Sequence, residues 1–222
     1  MRLFAAVWPD EDVLDHLDLA LAVVRRGVAS PDDGVRWSAR EAWHLTAAFY
    51  GHLPDAGTDD LAADLERAAA RRAPFDLQLR GAGVFSHRTL WVGTGRDVEA
   101  MTALAGAARA VGEEHGAAPD SRVRHRPHLT VGRVRPGSRP PRRAARAGVA
   151  GRPGGRGPGR GSAADVRELG PAEVFEQALA VYEGPTWRVE ALSLVASRPG
   201  EGRGGGPLYT RLADLPLGTG AD

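Results

Sequence analysis

The chain has no cysteine, and that single absence removes disulfide frameworks, thiolate metal sites and a cysteine nucleophile. It has no lysine either, so all 29 of its basic Lys and Arg positions are arginine. With so much alanine and glycine alongside, this is the residue usage of a GC-rich genome, and arginine counts carry less functional meaning for it. Apolar runs are short. None approaches the ~20 residues of a membrane span, and the opening MRLFAAVWPDED is too short and too acidic in its flank for a secretory signal. The expectation is a soluble cytoplasmic protein.

What the chain does have is enough material for a core: 222 residues, 42% of them hydrophobic, sufficient for one domain or two small lobes. The formal net charge is only +1, yet acids fill the first half while arginines crowd Arg122 to Arg167, with Asp165 to offset them. Such a cluster is an electrostatic footprint for a polyanion such as RNA. From 136 to 161 the chain is dominated by Arg, Gly, Pro and Ala, and without large apolar residues it cannot build a core. It reads as a disordered loop insertion in a single domain covering 1–222.

Periodicity gives the elements. Arg2 to Trp8 reads as a strand stopped by Pro9, and Val13, Leu14, Leu17, Leu21 and Val24 mark a helix. A short strand at Val35 to Trp37 precedes an apolar strand ending at Gly51. Thr58 to Arg72 is helical. Strands at Phe75 to Phe85 and Thr89 to Gly93 follow, then a helix from Val98 to His115. After Pro127 comes another strand. A helix is expected near Val174 to Tyr182, a strand from Trp187 to Ala196, a glycine-rich turn from Gly200 to Gly206, and a last strand from Leu208 to Leu212.

Within this layout one tripeptide occurs twice. His44-Leu45-Thr46 lies in WHLTAAFYG and His128-Leu129-Thr130 in RPHLTVGR. Successive side chains of a strand point to opposite faces, so each motif sends Leu one way and His and Thr the other. The order strand, helix, His-Leu-Thr strand also repeats, which points to two related lobes facing each other. A paired imidazole site suits phosphodiester hydrolysis, because one ring takes a proton from water while the other gives one to the leaving oxygen. Thr46 and Thr130 offer hydroxyl donors to non-bridging phosphate oxygens, and Arg133 a charge-assisted contact.

The other histidines read as ordinary. His16 and His115 belong to helices, His52 and His87 to turns, and His125 to a loop. Neither motif is accompanied by a His-x-x-x-His helix or an Asp/Glu cluster, so no metal is assigned. The ribbon Gly151 to Gly161 is neither a phosphate-binding loop nor a dinucleotide fingerprint.

On RLFAAVWP, VRW, WHLTAAFYG, GVFSHRTLWVG, PHLTVGR and Pro207-Leu208-Tyr209, the chain resembles the two-histidine phosphoesterase superfamily and its RNA 2',3'-cyclic phosphodiesterase (2'-5' RNA ligase) family. The resemblance implies an α+β, bilobal fold in which two antiparallel sheets face a central cleft, with helices on the outer faces and a pseudo-twofold repeat. It implies hydrolysis of RNA 2',3'-cyclic phosphate ends to 2'-phosphates without cofactor or metal. Carried over, His44 is the proton donor and His128 the acceptor, an assignment that sequence alone does not choose, while Thr46, Thr130 and Arg133 bind phosphate. Ala48 stands where the family commonly has lysine. The expected partner is an RNA or oligonucleotide end bearing the cyclic phosphate, with no membrane, for a monomer. A small cyclic nucleotide, an ADP-ribose cyclic phosphate or a 2'-5' oligoadenylate as substrate, and a non-catalytic RNA-end binding module, stay open as alternatives.

Overall fold

Alternating and helical apolar patterns become nine strands and four helices across the described residues, 1–27, 34–119, 126–136 and 169–218 of the computed structural model. In chain order these are β1 (Arg2–Val7), α1 (Glu11–Gly27), β2 (Val35–Trp37), β3 (Leu45–His52), α2 (Thr58–Ala70), β4 (Phe75–Phe85), β5 (Thr89–Arg96) and α3 (Val98–Glu114). Then follow β6 (His128–Val134), α4 (Pro171–Ala178), β7 (Glu183–Val189), β8 (Ala191–Arg198) and β9 (Leu208–Pro216). Past residue 136 the Arg/Gly/Pro-rich stretch lies outside the described residues, as do His125 and most of the basic segment.

The fold is α+β, built from two four-stranded antiparallel halves, β7-β4-β5-β6 and β3-β1-β8-β9, with β2 added on β6. The halves meet at one seam, where Leu45 of β3 pairs antiparallel with Leu129 of β6. The two leucines are fully buried and join the halves into one curled sheet. Helices cover a single face of it: Val13, Leu17 and Leu21 of α1, Leu61 and Leu65 of α2, Met101 and Leu104 of α3 and Phe175 of α4 share one core with Leu3, Ala5, Val7, Leu45 and Leu129. The opposite face carries its own smaller cluster, Phe4, Ala6 and Val195 with Trp8 and Tyr209 packed against it. β1 is therefore apolar on both sides, odd residues toward the helices and even residues toward the other face.

The chain exchanges elements between the halves. α1 follows β1 of one half but packs on β7 of the other, whereas α3 follows β5 and packs on β3. The expected single strand from Trp187 to Ala196 is in fact two: β7 pairs with β4 and β8 with β1, and the chain passes from one half to the other at Glu190. The helix-side core records this, since it takes the odd-numbered Trp187 and Val189 from β7 and the even-numbered Leu192, Leu194 and Ala196 from β8, while Val195 is buried on the other face. The last helix starts at Pro171 rather than near Val174, because proline suits the first helical position and the Glu173 carboxylate caps the Gly170 N–H at 2.9 Å.

Candidate active site

Alternation along β3 and β6 sorts the motif residues as their spacing requires. Leu45, Ala47, Leu129 and Val131 are at most 1% exposed in the helix-side core, while His44, Thr46, His128 and Thr130 are half-buried on the other face. Because Leu45 and Leu129 pair antiparallel, the sense of the strands sets His44 across from Thr130 and Thr46 across from His128. The seam between the halves thus runs through the middle of a four-residue polar patch.

Both imidazoles are held in the same way. His44 Nδ1 lies 2.8 Å from the Ala42 carbonyl and His128 Nδ1 lies 2.8 Å from the Arg126 carbonyl, in each case two residues back. A carbonyl only accepts, so each Nδ1 carries a hydrogen and donates it. In the neutral ring Nε2 is then the basic nitrogen, and His44 Nε2 accepts from the Thr46 hydroxyl at 3.1 Å.

Aromatic side chains enclose each ring. Phe4, Trp8 and Tyr209 surround His44 at centroid distances of 5.0, 5.0 and 5.2 Å. Phe85 meets His128 edge-on at 4.9 Å and Trp91 stands 6.2 Å away, itself stacked on Phe85. An arginine covers each tryptophan: Arg211 lies 4.4 Å from the Trp8 ring and Arg126 5.8 Å from Trp91. Trp91 has room only because residue 83 is glycine, since a Cβ there would fall 2.3 Å from the indole. Burial in this cage pushes the His44 pKa down to about 4, against the smaller opposing effect of the Ala42 hydrogen bond; a charge on His128 lowers it further. Burial raises that of Tyr209, with the cations Arg133 and Arg2 acting in the other direction.

Arg133 reaches this face through a break in the strand. Regular alternation from Thr130 would send residue 133 to the core side, but the β5–β6 register shifts between Leu90↔Gly132 and Trp91↔Thr130. The extra residue is Val131, a bulge that restores Arg133 to the side of His128 and Thr130. β3 has the same bulge at Ala47, between Ala5↔Ala48 and Ala6↔Thr46. Phe49 is thereby the counterpart of Arg133. It is 43% exposed and has the Arg2 guanidinium 4.9 Å from its ring centre.

All five residues expected from the sequence therefore share one face. Sequence reasoning gave no site role to Phe4, Trp8, Phe85, Trp91 or Tyr209. The signal was available in β1, where Phe4 and Trp8 alternate with an already complete core set. Two of the other described histidines are engaged elsewhere: His16 Nδ1 is 3.1 Å from the Tyr182 hydroxyl, and His115 Nε2 is 2.7 Å from Asp64. Among the described residues no group of three or more His, Asp or Glu is placed to hold a metal ion, and no helix is long and apolar enough to cross a membrane.

Residues 15–149, a span that includes both motifs, match the model of the 2'-5' RNA ligase superfamily. The chain belongs to that superfamily. Among curated superfamily relatives, the RNA 2',3'-cyclic phosphodiesterase of Thermus thermophilus is 33% identical over 141 residues, 60% of this chain and 68% of that protein. That of Methanothermobacter thermautotrophicus is 29% identical over 142 residues, covering 61% and 72%. The Aquifex aeolicus protein of the same name is 25% identical over 104 residues, so the match spans 45% of this chain and about half, 55%, of the relative. Solved structures extend the likeness along the chain. A crystal structure from Thermus thermophilus superposes with a TM-score of 0.64 at 24% identity over 98% of each chain. E. coli LigT in its apo form gives 0.62 at 21% identity, over 98% of this chain and 97% of LigT. These structures share the superfamily fold.

Proposed function

We propose that the protein is a metal-independent phosphodiesterase that opens RNA 2',3'-cyclic phosphate ends to 2'-phosphates, with His44 and His128 as its acid and base. The observation that carries this reading is the matched pair of imidazoles, each held through Nδ1 by the carbonyl two residues back, on one face with both threonine hydroxyls. The names of the curated relatives agree with it, and solved complexes of LigT with 3'-AMP and with phosphate fit a phosphate ester as ligand.

In this mechanism His128 takes a proton from water as the water oxygen attacks phosphorus. The bond from phosphorus to O3' breaks, and His44 gives its proton to O3', leaving the phosphate on O2'. Thr46, Thr130 and Arg133 hold the non-bridging oxygens as negative charge builds on them. Burial alone would leave His44 neutral near pH 7. The anionic substrate reverses this, since a negative charge beside a buried imidazole favours its protonated form. The donor is thus charged by the ligand it acts on.

A neutral His44 ring favours a second assignment, with His44 as base and His128 as acid. A phosphodiester whose p-nitrophenolate leaves without a proton separates the two, because it makes the acid dispensable. His44→Ala retaining turnover of this ester, while losing the cyclic phosphate, assigns His44 as the acid. The primary test is incubation of an oligonucleotide 2',3'-cyclic phosphate in EDTA. Formation of the 2'-phosphate is the expected result; an intact substrate, or full activity of both histidine-to-alanine variants, would overturn the proposal. A matching mononucleotide in the same assay separates an RNA-end enzyme from one acting on small cyclic nucleotides, and salt-sensitive binding without turnover would mark a binding module.

A further inference from the structure

The Ala42 carbonyl that orients His44 belongs to a short turn that runs from the surface at Arg40 to the fully buried Trp43. Arg40–Ala42 forms a single 3-10 turn with no buried residue and no side-chain cap. Its last peptide plane, between Ala42 and Trp43, is gripped from both sides. The Trp43 N–H donates to the Arg40 carbonyl at 2.9 Å, and the Ala42 carbonyl of the same rigid unit accepts from His44 Nδ1 at 2.8 Å. The setting of the imidazole therefore follows the setting of residue 40. The Arg40 side chain leaves the turn and reaches the first two turns of α1, 2.5 Å from Glu11 Oε2, 2.8 Å from Asp15 Oδ1 and 3.1 Å from the Glu11 carbonyl oxygen.

We propose that Arg40 is a positioning residue for His44: by tying the 3-10 turn to α1 it fixes the Ala42–Trp43 peptide plane, and with it the Nδ1–H form and the ring plane of the imidazole. This rests on His44 taking part in proton transfer, as argued above. Exposed ion pairs add little to stability, and both carboxylates are largely exposed, so removing Arg40 should leave the melting temperature near that of the parent and its effect should be read at the His44 ring. A small misplacement of a group that moves a proton is costly to rate even when binding is intact.

The test measures two things on Arg40→Ala, Arg40→Lys and the Glu11→Gln/Asp15→Asn double variant. The first is kcat and KM on the cyclic phosphate. The second is the ring 15N spectrum of His44 in the substrate-free protein, assigned by its disappearance in His44→Gln. Arg40→Ala is expected to lower kcat roughly five- to tenfold with KM within about twofold, and to replace a single Nδ1–H form by a mixture of tautomers. The double variant should reproduce both effects, and Arg40→Lys should recover part of each. Wild-type ring signals in Arg40→Ala would overturn the proposal, whether kcat is unchanged or falls together with melting temperature. The readouts also separate this idea from the functional reading. An active His44→Ala enzyme would sink that reading, while the 15N spectra of the Arg40 variants decide the coupling to the ring without reference to activity.

Discussion

The two half-sites, one around His44 and one around His128, are alike in backbone and unlike in side chains. Both hold the imidazole by the carbonyl two residues back, both bulge one residue past the threonine, and both cover a tryptophan with an arginine. Yet three rings enclose His44 and two flank His128, and at the matched position after the bulge one strand has Phe49 and the other Arg133. Backbone repetition sets two imidazoles in matching frames. Side-chain divergence gives them different environments, and under the proposed function only that divergence can distinguish acid from base.

Removing either histidine is the harshest test of this division. His44→Ala and His128→Ala should each lower kcat by about 10²–10⁴-fold, and the double variant should be little worse than either alone, because groups acting as a unit are not additive. A single variant with near-normal kcat would show that its half is only scaffold. Next in size is a proton effect on the His44 half. Its pKa is about 4 when folded, below the ordinary 6.5, so the unfolded chain binds the proton better. The stability this gives is fully present above pH 6.5 and is lost as pH falls toward 4. The loss is on the order of 3 kcal/mol across that window, and urea titrations of His44→Gln should show a flatter slope there than the parent protein.

On the His128 half, Gly83→Ala should displace the Trp91 indole and cost roughly 1–3 kcal/mol, read as a lower urea midpoint together with reduced kcat. An unchanged midpoint would mean that the ring shifts freely. The smallest expected effect comes from making the halves match: Arg133→Phe should raise KM roughly tenfold by removing one charge-assisted contact, with kcat less affected. A KM that does not move would take Arg133 out of phosphate binding.

Much of this was readable beforehand. The sequence pattern sends Leu45 and Leu129 one way and the histidines and threonines the other, and burial follows it, since that pattern depends only on the two-residue period of a strand. The face of Arg133 was not readable, because a bulge inserts one residue and reverses parity without changing composition. The crossing at Glu190 left only a partial trace, Trp187 and Val189 giving way to Leu192 and Leu194, and Val195, apolar because β8 is buried on both faces, blurs it. The aromatic cages were hidden for a different reason. Phe4 and Trp8 look like core until β1 is seen to be covered on both faces.

The strand exchange also governs when the site comes into being. β1 pairs with β8, so that Leu3 meets Ala196 at very long sequence separation; the His44 cage closes only with Tyr209 on β9. Pairings of such long sequence separation form slowly, because most of the loop-closure entropy must be overcome before they gain anything. A nascent chain carrying both histidines therefore lacks the finished His44 cage until β8 and β9 have been made.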